Sequence, residues 1–131
     1  MKIRKMLVLL AALCLLVCGC ANARKEALQN GNYTVELTMS GGSGRAHILS
    51  PAALEVQDGQ LTVTLIWSSS NYDYMIVDGV KYEPVTYEGG STFRIPLKNL
   101  EKLDLIGDTV AMSTPHEVEY SLTFGTPAAV K

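Results

Sequence analysis

Val118-Glu119-Tyr120-Ser121-Leu122-Thr123-Phe124 is the stretch that decides the fold. Apolar and polar side chains alternate without a break, the period of two that a half-buried strand requires and a helix cannot use. The same period runs through Leu61-Thr62-Val63-Thr64-Leu65-Ile66-Trp67 and through Tyr33-Thr34-Val35-Glu36-Leu37-Thr38-Met39. Each of these reads as one strand of an antiparallel sheet with one wet face. Shorter strands are predicted at 46–49, 54–57, 74–77, 80–83, 92–97 and 104–111.

The punctuation agrees with this reading. Asp58-Gly59 and Asp78-Gly79 are hairpin dipeptides, because both central residues of a type I′ turn take positive φ. The runs at 41–44 and 88–91 are glycine-rich loops. Pro51, Pro84, Pro96 and Pro115 lack an amide donor and belong at strand ends, bulges or edges. Residues 97–103 are compatible with a single helical or 3₁₀ turn, and helix is expected over less than about one tenth of the chain. About eight or nine short strands in one domain predict an all-β antiparallel sandwich, with a closed barrel as the alternative.

The first twenty residues set the compartment. Lys2, Arg4 and Lys5 precede an unbroken apolar run from Met6 to Val17, short for a membrane span. The run ends in Val17-Cys18-Gly19-Cys20, which resembles the lipobox of bacterial lipoproteins. That resemblance implies cleavage before Cys20 and a lipid on its thiol, with the domain held on the extracytoplasmic face of the cell membrane. The expected organisation is a signal peptide over 1–19, a tether over 20–31, the sandwich over 32–126 and a tail over 127–131.

After loss of Lys2, Arg4 and Lys5, eight basic residues face thirteen acidic ones, a formal net charge of −5. The basic residues are scattered, which disfavours nucleic acid as a partner. All three cysteines lie at or before Cys20, so the mature domain has no disulfide and no thiolate metal site. Motifs for a serine hydrolase, a zinc protease, a P-loop or a dinucleotide fold are absent, as is an EF-hand loop. A binding module is expected rather than an enzyme.

Two segments carry more chemistry than a scaffold needs. Trp67-Ser68-Ser69-Ser70-Asn71-Tyr72-Asp73-Tyr74-Met75 concentrates hydroxyls and aromatics as recognition loops do. Tyr72 and Tyr74 are candidate ligand contacts, while Trp67 continues the apolar face of its strand. The second segment runs from Ala111 to Tyr120 and contains Met112, a further candidate contact, and His116. His116 and Tyr120 share one strand face about 13 Å apart, a span suited to a large flat ligand. An imidazole or a phenolate can ligate haem iron from one side. The same face carries Val118, Leu122 and Phe124, so Tyr120 also reads as a core residue and His116 as a strand-end residue.

The order of these elements resembles the near-iron-transporter (NEAT) domain. The similarity runs from Gly31-Asn32-Tyr33-Thr34-Val35 through Pro51-Ala52-Ala53-Leu54, Asp58-Gly59, the strand at 61–66 and the serine-aromatic loop. It continues through Val77-Asp78-Gly79 and Thr92-Phe93-Arg94-Ile95-Pro96 to the strand at 116–124. The resemblance implies an immunoglobulin-like sandwich of bacterial surface proteins engaged in iron or haem uptake, with components of an ABC importer as partners. In haem-binding members a tyrosine on the penultimate strand ligates iron and a second, four residues on, supports it. The matching positions are His116 and Tyr120, so histidine stands where the ligating tyrosine is found. The family's lip segment corresponds to 40–46, where Ser43 and Arg45 fit the propionate contacts and no bulky side chain covers the ring. Some members bind no haem. The alternative is therefore a surface module that recognises a protein or glycan without a cofactor.

Overall fold

The computed structural model describes residues 28–42, 45–111 and 116–130. The expected signal peptide and tether, with Cys20, lie outside the described residues, as do Ser43, Met112 and Pro115. The described chain contains no helix and ten strands. They are β1 (Gly31–Val35), β2 (Leu37–Gly41), β3 (Ala52–Gln57), β4 (Gln60–Ile66) and β5 (Tyr72–Val77), followed by β6 (Val80–Tyr82), β7 (Thr92–Leu97), β8 (Lys102–Thr109), β9 (His116–Phe124) and β10 (Ala128–Ala129).

Two five-stranded antiparallel sheets form the sandwich, in the orders β10-β1-β3-β4-β7 and β2-β9-β8-β5-β6. The sheets stay open, so the barrel alternative does not apply. The inward residues on β4 and β9 are those the alternation selects, Val63, Leu65 and Trp67 from the β4 run and Leu122 and Phe124 from β9, and Phe93 and Ile95 of β7 join them in the core. Asp58 and Asp78 both sit at φ 51°, followed by Gly59 and Gly79 at 79° and 76°, the positive-φ pairs that tight hairpins demand. Pro96 lies on β7, an edge strand, where the missing donor costs no ladder bond.

Three local expectations are corrected. The run 33–39 is two strands, because the chain changes sheet at Glu36. Val35 ends β1 in the first sheet, Leu37 begins β2 in the second, and both are buried. Gly125 N–H donates to the Glu36 carbonyl at 2.7 Å and pins the crossing. A period of two does not reveal the switch, since residues on either side of the crossing still point into the same core. The segment 46–49 contributes only an isolated bridge between Ile48 and Trp67. There the His47 amide donates to the Ser68 hydroxyl oxygen rather than into a ladder. Residues 97–103 form no helical turn, because the Asn99 side chain accepts from the Glu101 amide and turns the chain directly into β8.

Candidate functional site

The serine-aromatic segment and the β8–β9 hairpin meet at one end of the sandwich. Three aromatic rings join them. Trp67 and Tyr72 stack with centroids 3.7 Å apart and planes inclined by 12°. Tyr120 meets the indole edge-on at 5.1 Å. The hydroxyls of Tyr72 and Tyr120 hydrogen-bond to each other at 2.8 Å. Burial, then the Tyr120 hydroxyl, holds the Tyr72 phenol well above its ordinary pKa. Gly107 of β8 forms the floor of the trio. A Cβ there would stand 3.2 Å from both Trp67 Cζ2 and Tyr72 Cδ1.

This arrangement corrects two expectations. Tyr72 is 3% exposed and Tyr120 is 6% exposed, so neither offers aromatic surface to a ligand. The cause is parity: Tyr120 shares its strand face with Leu122 and Phe124, and that face is the core. The serine hydroxyls each make one bond within the fold, and Ser68 and Ser70 remain exposed. Ser68 Oγ accepts from His47 N–H, Ser69 Oγ accepts from Asn71 N–H, and the Ser70 hydroxyl donates to the Tyr87 carbonyl. Tyr72→Phe is expected to cost about 1–2 kcal/mol in chemical denaturation, because it strands the buried Tyr120 hydroxyl.

The other candidate residues lie at or near the surface. His116 opens β9, is exposed, and stands opposite Thr109, the last residue of β8. Tyr74 points away from the core. Its hydroxyl donates to Glu117 Oε2 at 2.5 Å, and the Lys81 ammonium lies 4.1 Å from its ring centroid. The hydrogen bond to Glu117, then burial and the surrounding carboxylates, raise the Tyr74 phenol. Arg45 is exposed. Gly42 reaches Tyr120: a Cβ there, where φ is +68°, would lie 2.7 Å from Tyr120 Cε1. The fold thus sets exposed Gly42 against the buried pair Tyr72 and Tyr120, and leaves Tyr74 half-buried with Arg45 and His116 exposed.

Sequence reasoning missed a cleft of about 430 Å³ on the outer face of the second sheet. Ile76 and Ile106 are among its apolar lining, with Ser40, Ser121 and the carboxylates of Asp78, Asp104 and Glu119. The Ser121 hydroxyl donates to Asp104 at 2.6 Å, and Lys102 lies 3.6 Å away. These two contacts, the hydroxyl first, hold Asp104 below the usual carboxylate range. The signal was present as the polar parity of β8 and β9, but only the strand order puts those residues beside Asp78. Among the described residues no three His, Cys, Asp or Glu side chains are grouped to hold a metal ion. No described helix is long and apolar enough to cross a membrane.

No family model matches the chain. No curated protein matches it either. Among solved structures it is similar to the NEAT5 domain of IsdX2, a B. anthracis hemophore, in complex with heme. The two share 15% sequence identity at a TM-score of 0.62, over 74% of this chain and 97% of that one. At that identity the likeness is one of architecture, and the all-β sandwich described above is a NEAT-like, immunoglobulin-like fold.

Proposed function

We propose that the chain is a lipid-anchored extracytoplasmic binding module of iron or haem uptake, tethered through Cys20 and working beside importer components. The observation that carries the haem reading is the exposed imidazole of His116, placed at the head of β9 in a NEAT-like sandwich. The residue fits haem at that point, since an imidazole is a competent ligand of haem iron. When bound, haem would supply the iron that His116 holds. Arg45, also exposed, offers a cation for a propionate. Tyr120 does not fit the role of a ring-supporting residue, because its hydroxyl is engaged by Tyr72 and its ring is core.

Haemin titration of the purified domain is expected to give a saturable one-to-one Soret shift, and His116→Ala is expected to abolish it while thermal unfolding stays unchanged. Absence of a saturable shift in the parent removes the haem reading. Mass spectrometry of the membrane-associated protein is expected to show a lipid-modified N-terminal cysteine at position 20.

A second reading, a module that docks a protein partner without a cofactor, is favoured by the carboxylate-rimmed cleft. Asp78, Asp104 and Glu119 around that cleft suit a lysine- or arginine-bearing surface.

A further inference from the structure

A separate cluster occupies the outer face of the second sheet where β5 is irregular. The register of β5 against β8 shifts between Tyr72 and Tyr74, which leaves Asp73 as the extra residue of a bulge. Tyr74 pairs with Asp108, and Asp108 pairs with Glu117 on the other side. Asp108 is 1% exposed, yet neither of its carboxylate oxygens has a hydrogen-bond partner. Asp73 Oδ1 is likewise buried without one.

The neighbours offer little relief. Only β5 and β9 flank β8 in its sheet. From β5, Asp73 and Tyr74 face Asp108; from β9, Glu117 does. The Tyr74 hydroxyl is given to Glu117, and the ammonium of Lys81 sits over the Tyr74 ring. A buried carboxylate with no donor beside a second carboxylate is too costly to keep fully ionised. A proton on Asp108 resolves the conflict, since its carboxyl then donates to Asp73.

We infer that Asp108 takes up a proton that it donates to Asp73, and that this proton is a pH-operated latch fastening the β5 bulge to β8 at the end that presents His116. The inference is independent of what His116 binds. Burial, then the hydrogen bond and charge of Asp73 and the charge of Glu117, push Asp108 up to about 6 from an ordinary value of 3.8, against the nearby Tyr74 hydroxyl, which acts to lower it. A folded pKa above the unfolded one means stability that is fully present below 3.8 and lost as pH rises through about 6. Within that window one proton changes the folding constant by at most about tenfold per pH unit.

The test is equilibrium denaturation of the mature domain at intervals from about pH 5 to 7.5, where this titration dominates the ordinary carboxylates. The parent is expected to lose stability as pH rises. Asp108→Asn, whose amide donates to Asp73 at every pH, is expected to match or exceed the parent above pH 7 and to flatten the profile. Asp73→Asn is the reciprocal variant, should the first fail to fold, and carries the same expectation. A flat parent profile overturns the latch, and so does a parental slope retained in either folded variant.

Discussion

Trp67→Ala is expected to destabilise the domain by about 3–5 kcal/mol, the range for truncating a fully buried large aromatic. The indole is fully buried between Tyr72 and Tyr120. Its Nε1 has no hydrogen-bond partner, so no polar interaction is forfeited and the loss is transfer plus cavity. Collapse of the cavity is resisted on several sides. Gly107 already sits against the ring, and the backbone of Trp67 is held by a bond to the Ser91 carbonyl at 2.9 Å. For a domain of this size each ~1 kcal/mol moves Tm by about 4–8 °C. Thermal unfolding followed by circular dichroism would show the shift. A loss under about 1 kcal/mol would mean that the site repacks and that the trio is not what closes this end of the sandwich.

The same trio shows what the sequence made legible and what it did not. Alternation in β4 and β9 identified the inward residues correctly, because burial of one sheet face is a local property of the chain. The Asp-Gly turns were equally local. The sheet change at Glu36 was hidden, since both halves of the run 33–39 face one core. The site was harder still. Tyr72 looked like loop surface from composition, and only the position of Trp67 across the sandwich shows that it is a stacking partner. Asp78, Asp104 and Glu119 come from separate segments, and strand order alone brings them to one cleft. Asp73 and Asp108 meet because of a bulge, which alternation does not announce.

Gly90→Ala is expected to be the more damaging of two neighbouring glycine substitutions, with a loss of at least about 3 kcal/mol, in the tail of single-residue effects. Gly89 and Gly90 both take positive φ, at 75° and 125°. Around Gly89 a Cβ would meet nothing within 4 Å, so Gly89→Ala should cost only the backbone penalty of about 1–2 kcal/mol. At Gly90 the Cβ would stand 2.0 Å from the Trp67 carbonyl oxygen and 3.1 Å from its carbonyl carbon. Those are main-chain atoms, which have no rotamer to change. Relief requires the chain on either side to move, and that chain frames the aromatic trio. Ser91 is fully buried, its carbonyl accepts from Trp67 N–H, and its hydroxyl oxygen accepts from Tyr72 N–H at 3.1 Å. Displacing residue 90 therefore loosens both stacked rings together. Paired denaturation curves for the two alanine variants separate backbone strain from the clash, and equal losses would show that the close approach to Trp67 is relieved without disturbing the core.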